Sequence, residues 1–174
     1  MSRLLVLLLV LALAMPALAR EIDGVIVTLV SPASVSPGIT QTMIFTVQNA
    51  SSDAEWIASI EIHFPGGVLH QETMGHEVIV PSTPRPDFTM MTFPTIPTAQ
   101  WTDANGGWGE IYSTEACDVW VDWTAPVPLT NQVITWELWG DVYGAEPHYV
   151  TGTIQLVVTP VEPSTWSSIK ALYR

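Results

Sequence analysis

The sequence predicts an all-β domain, an antiparallel β-sandwich of about seven to nine strands. Three observations predict it. Apolar residues alternate at period two through most of the chain, the pattern of half-buried strands. Clusters of Gly, Pro, Asn and Asp interrupt that alternation at short intervals, as turns do. No segment between the first 19 and the last 14 residues carries a helical pattern. Consecutive strands with short connections pair antiparallel, and no internal repeat divides the chain.

The elements follow in order. Met1-Ser2-Arg3 carries one positive charge, Leu4 to Ala14 is apolar throughout, and Ala17-Leu18-Ala19 precedes Arg20-Glu21. A basic start, an apolar stretch and an A-x-A site make residues 1–19 a secretory signal peptide, too short for a membrane span. Val25–Val30 reads as a strand, and Ser31–Gly38 as a turn-rich connector. Thr40–Gln48 places Met43, Phe45 and Val47 on one face. Asn49–Asp53 makes a turn, and Asn49-Ala50-Ser51 is an N-glycosylation sequon within it. Glu55–Phe64 is the clearest strand, with Trp56, Ala58, Ile60, Ile62 and Phe64 expected on one face and Ile57, Ser59, Glu61 and His63 on the other.

Pro65-Gly66-Gly67 ends that strand. Residues 65–98 are rich in proline, so only a short strand at Glu77–Val80 and another at Asp87–Phe93 are expected, both at edges. A short strand at Ala99–Thr102 precedes a turn at Asp103–Gly107. Glu115–Trp123 is again firm, with Cys117, Val119, Val121 and Trp123 opposed to Asp118, Trp120 and Asp122. Gln132–Trp139 and His148–Val158 complete the set, and residues 20–160 form the one domain. The single cysteine, Cys117, excludes an intramolecular disulfide and reads as a buried structural thiol.

Composition excludes some functions. Without the signal peptide, Arg20, Arg85, Lys170 and Arg174 are the only basic side chains against 17 acidic ones. Such a surface repels nucleic acid and anionic membranes. No nucleophile elbow or phosphate loop is present, so the chain is expected not to be an enzyme. His70 and His76 with Glu72 and Glu77 suit a solvated loop better than a metal site. Asp103-x-Asn105-Gly-Gly-Trp-Gly-Glu110 matches a calcium loop only in its first positions and then fails, at Gly107 and Trp108. No cofactor is therefore expected; calcium is the ion best suited to so acidic a chain. Trp108 lies in a glycine-rich loop, and Trp120 stands between Asp118 and Asp122. Aromatic rings beside carboxylates suit a sugar-binding face, so these four residues are the candidate ligand site.

Ser34-Val-Ser-Pro-Gly38 with Val47-Gln-Asn-Ala-Ser-Ser52, Trp56-Ile-x-x-Ile-x-Ile-x-Phe-Pro-Gly-Gly67 and Trp123-x-Ala-Pro126 resemble segments of the immunoglobulin-like "conserved repeat" modules of secreted bacterial proteins. The likeness spans roughly residues 25–158. It implies an immunoglobulin-like sandwich and a spacer, structural or adhesive role at the bacterial envelope. The segment 161–174 is similar to short Trp-x-x-Ile-Lys-Ala-Leu-Tyr-Arg endings on secreted proteins of environmental bacteria, which implies a sorting or docking tail using Trp166, Ile169, Lys170, Tyr173 and Arg174. Three functions are thus expected: a structural or adhesive surface protein with a protein or glycan partner, a carbohydrate-binding module, and a self-assembling subunit of a surface polymer.

Overall fold

The computed structural model describes residues 22, 24–51, 55–79, 87–141 and 148–159. The signal peptide and the tail lie outside these residues. Nine strands are described: β1 (Ile26–Ser31), β2 (Thr40–Gln48), β3 (Ile57–His63), β4 (Val68–Val78), β5 (Phe88–Phe93), β6 (Thr98–Asp103), β7 (Ala116–Thr124), β8 (Val133–Gly140) and β9 (Tyr149–Gln155). They form a four-stranded sheet in the order β1-β2-β7-β4 and a five-stranded sheet in the order β5-β6-β3-β8-β9. Every strand pair is antiparallel.

This is the arrangement of an immunoglobulin variable-type sandwich. The first sheet fills the places of strands A, B, E and D, and the second those of C″, C′, C, F and G. Beyond β9, Val35 and Val158 form a parallel bridge, so the N-terminal segment touches both sheets. The chain route departs from the immunoglobulin one in two respects. The strand in the D place, β4, comes before the two that extend the other sheet, β5 and β6, and the strand in the C″ place, β5, comes before the one in the C′ place, β6.

The core follows from the alternation. Met43, Phe45 and Val47 of β2 stand directly across from Val121, Val119 and Cys117 of β7, and all six are buried. In the facing sheet Ile60 and Ile62 of β3 lie between Trp101 and Ala99 on β6 and Leu138 and Trp136 on β8. Phe64 bridges the layers, its ring 6.1 Å from Phe45 and 5.0 Å from Trp123. Burial pushes the Cys117 thiol up to about 12, which leaves it protonated and inert at neutral pH.

Two expectations need correction. In Glu55–Phe64, Ile57 is buried and Trp56 only partly so, the reverse of a continuous alternation. The register of β3 against β8 shifts between Ile57 and Ser59, and such a bulge exchanges the two faces beyond it. Trp56 instead stacks on Tyr112, with ring centroids 4.7 Å apart. The second correction concerns residues 65–80, where a short piece was expected at its far end. The chain forms β4, eleven residues long, and His70 and His76 lie on this strand and not in a loop. A register shift between His70 and Gly75 breaks its alternation. The ring of Trp120 lies over Gly75, where an added Cβ would sit 2.3 Å from it.

The loop from β6 to β7 carries the chain between the sheets and is tied by its own side chains. Asp103 Oδ1 accepts from the N–H groups of Asn105 and Gly106, at 2.8 and 3.0 Å. Asn105 donates to Glu110 Oε1, and Glu110 Oε2 accepts from the N–H of Asp87 at 2.7 Å. Burial, then the adjoining Asp103 and Asp87 carboxylates, raise the Glu110 pKa to about 7, against the hydrogen bond from Asp87.

Asn49 is fully buried. Its amide nitrogen donates to the carbonyl oxygens of Glu55 and Ile111 at 2.7 and 2.9 Å, and its Oδ1 accepts from the N–H of Ser51. The sequon asparagine is therefore a structural tie, with the nitrogen that a glycan would occupy already bonded twice.

Asn49→Ala leaves buried groups without these partners and is expected to destabilise the domain by about 2–3 kcal/mol; chemical denaturation measures it, and a loss near zero refutes the tie. For Glu110, a carboxyl whose pKa is raised on folding binds more protons in the native state, so its contribution to stability is lost as pH rises from about 4.5 to about 7. Glu110→Gln mimics the neutral form. Its melting temperature relative to the parent protein is expected to rise across that window, and a difference that does not vary with pH overturns the assignment.

Candidate binding face

Alternation turns every second residue of the five-stranded sheet outward, and the register aligns these residues in three rows. Thr102, Ser59, Trp139 and Tyr149 form the first row, Gln100, Glu61, Glu137 and Thr151 the second, and Thr98, His63, Thr135 and Thr153 the third. Strands lie about 4.8 Å apart, so four strands make a flat face some 15 Å wide. All of these positions lie on strands, and β3 and β8 are interior to the sheet.

The face is divided chemically. At one end the rings of Trp139 and Tyr149 stack with centroids 4.5 Å apart at 46°, 45% and 36% exposed. The Tyr149 phenol lies near Glu137 and Thr151. Desolvation, and then the nearby Glu137 carboxylate, hold that phenol above its ordinary pKa. In the middle row the Gln100 amide donates to Glu61 Oε1 at 2.7 Å. His63 Nδ1 is 2.8 Å from the Thr98 hydroxyl, and its Nε2 is 3.3 Å from a Glu137 oxygen and 3.9 Å from a Glu61 oxygen. Exposed rings supply stacking surface, and oriented carboxylates and hydroxyls accept or donate hydrogen bonds beside them.

The residues singled out from the sequence lie elsewhere. Asp118, Trp120 and Asp122 do share one outward face, that of the four-stranded sheet. There Asp118 accepts from Thr46 and Asp122 from Thr42, each at 2.5 Å, while Trp120 covers Gly75 and is only partly exposed. Trp108 is 58% exposed in the loop between β6 and β7, so it belongs to a different surface from Trp120. Asp103 and Asn105, the first positions of the calcium-like loop, spend their side-chain oxygens on the turn itself. Trp166, Ile169, Lys170, Tyr173 and Arg174 lie outside the described residues.

The sequence held a signal for the other face. Trp136 and Trp139 are three apart, so a strand must send one inward and the other outward. Glu61 and His63 likewise alternate onto one side. What periodicity does not contain is the register that sets Glu137 against Glu61 and Tyr149 against Trp139.

An apolar notch of about 390 Å³ lies between β1 and β9, lined by Val27, Leu29, Val35, Ile154 and Leu156 among others. It brings no cluster of charged side chains together and is set aside as the main site.

No family model matches the chain, and no curated protein does. Among solved structures, an uncharacterized protein from Nocardia farcinica with an immunoglobulin-like fold is 15% identical, covering 75% of this chain and 97% of that one, with a TM-score of 0.48. A cohesin module from a family 33 glycoside hydrolase of Clostridium perfringens is 11% identical, covering 78% and 98%, with a TM-score of 0.36. The collagen-binding domain of a Staphylococcus aureus adhesin is 11% identical, covering 75% and 96%, with a TM-score of 0.39. The immunoglobulin-like assignment of this chain rests on its own strand order and pairing, and nothing those proteins bind is carried over from likenesses so distant.

Proposed function

We propose that this chain is a secreted or cell-surface, non-enzymatic β-sandwich with a structural or adhesive role, meeting its partner through the outer face of the five-stranded sheet. The observation that carries the reading is the Trp139–Tyr149 pair held beside Glu137 on paired strands. Flat, rigid and partly aromatic faces suit recognition of a surface, since little entropy is lost on binding. Two histidines and the cysteine have structural work. His148 is paired with the buried Glu55 at 2.8 Å, His70 meets the Thr124 hydroxyl at 3.0 Å, and the Cys117 thiol is held protonated. Export by the N-terminal signal and docking through the segment 161–174 belong to the same proposal.

The aromatic pair also favours a second, narrower reading, that the partner is a glycan. Two adjacent rings tilted at 46° offer stacking surface for sugar C–H groups, and Glu137 and Thr151 lie within reach of hydroxyls.

The test uses the mature chain and its Trp139→Ala and Tyr149→Ala variants. Binding to immobilised envelope and matrix preparations is expected to weaken at least ten-fold in both variants while their melting temperatures hold. Quenching of tryptophan fluorescence by soluble sugars, lost in Trp139→Ala, identifies the partner as a glycan. Binding that is unchanged in both variants overturns the face. A chain ending at Pro160 is expected to fold normally and to be lost from the cell surface; unchanged location refutes docking by the tail.

A further inference from the structure

We propose that Glu61, His63 and Glu137 form a divalent metal site, fitted best to Zn²⁺, on the outer face of the five-stranded sheet. The inference rests on ligand geometry alone and stands whether or not that face is adhesive.

Glu61 on β3 and Glu137 on β8 are directly opposite in register. Like charges so placed destabilise a sheet unless a cation lies between them. His63, two residues along β3, is on the same face, and the three ligand atoms lie within 4.8 Å of one another. In a tetrahedral zinc site with bonds of about 2.0–2.1 Å the ligand atoms are about 3.4 Å apart. Small torsions of the two glutamates close that difference, because His63 Nε2 already stands 3.3 Å from Glu137 Oε1.

The state of His63 points the same way. Its Nδ1 is engaged by the Thr98 hydroxyl, while Nε2 is buried and has no hydrogen-bond partner. A metal-ligating histidine has this arrangement: one ring nitrogen fixed by an outer partner, the other aimed at the ion. Glu61 is oriented too, by the Gln100 amide at 2.7 Å. One imidazole and two carboxylates are a donor set for zinc, and three protein ligands leave a position for water or for an oxygen of a partner.

The experiment titrates ZnCl₂ into chelator-stripped, tag-free mature protein by calorimetry, with melting temperature read in parallel. One saturable equivalent and a raised melting temperature are expected. Glu137→Gln and His63→Asn are expected to weaken binding at least ten-fold. Thr98→Val, which touches only the outer partner, is expected to weaken it roughly ten- to a hundred-fold with the fold intact. His70→Asn, altering the separate His70–Glu72 contact at 3.6 Å, is expected to leave it unchanged. Zinc should also shift the imidazole NMR signals of His63 itself, which keeps the test valid if a variant fails to fold. Absence of saturable binding at millimolar zinc overturns the proposal. So does binding that survives both Glu137→Gln and His63→Asn, or that is lost in His70→Asn.

Discussion

Asn49 holds one end of the sandwich together, and the fold depends on it because no disulfide can. The single cysteine is buried on β7 without a partner thiol. In place of a covalent staple, Asn49 ends β2 and uses both its side chain and its backbone to gather three other segments. Its amide reaches the chain entering β3 and the bridge residue Ile111; its N–H donates to the Glu115 carbonyl, and its carbonyl accepts from Thr114. Thr114 has a positive φ of 74°, a conformation that a non-glycine residue adopts at a cost, and that hydrogen bond holds it there. Ile57 and Glu110 add cross-chain bonds, and the fully buried Glu55 carboxylate meets His148 just before β9. Gly140 leaves the space for that carboxylate, since a Cβ there would lie 1.9 Å from its oxygen. A buried hydrogen-bonded pair is costly to break by removing one partner, so this cluster specifies how the ends meet.

With the interior and one end satisfied, the two outer faces are free to differ, and they do. On the four-stranded sheet, Thr46 stands opposite Asp118 and Thr42 opposite Asp122, and each aspartate is met by the hydroxyl across from it. Trp120 settles on Gly75 beside them, filling the space that a side chain would take. On the other side of β7, Glu77 stands opposite Asp118, so this face too brings two carboxylates together. On the five-stranded sheet the same kind of alternation sets a glutamate opposite a glutamate. Gln100 and Thr98 orient Glu61 and His63 there, and His63 Nε2 stands 3.3 Å from Glu137. The faces differ in what meets the carboxylates: threonine hydroxyls of β2 in one sheet, the Gln100 amide and the His63 ring in the other.

What the sequence made legible follows the same physical line. β2 and β7 were readable because both keep strict alternation over nine residues, and their registers match face to face. β4 was not, because its bulge interrupts the period that would have announced it. In β3 the bulge near Ala58 reversed Trp56 and Ile57 while leaving Ile60, Ile62 and Phe64 where alternation puts them. Asn49 looked like a turn residue in a glycosylation motif, since a lone polar side chain carries no local sign of burial. The candidate face was half legible. Glu61, His63 and Trp139 could each be placed outward from period two alone, whereas Glu137 and Tyr149 join them only through pairing between strands distant in sequence.

The position of β4 in the chain route bears on which surfaces remain for a partner. Because it precedes β5 and β6, the bulged part of β4 lies against β5, where the Gln71 side chain accepts from the N–H of Thr92. Bulges and side-chain bonds of this kind blunt a sheet edge against pairing with another chain. At the opposite side Val35 crosses to Val158, and its N–H and carbonyl bond Val157 and Thr159, capping the end of the β9 strand line. Both sides of the sandwich thus carry a local obstacle to edge-to-edge growth, which a subunit of a β-paired polymer would have to remove. The faces carry no such obstacle, and the five-stranded one keeps its exposed rings on view. The proposed binding by a face is therefore compatible with this strand order, whereas strand addition at an edge meets these obstacles.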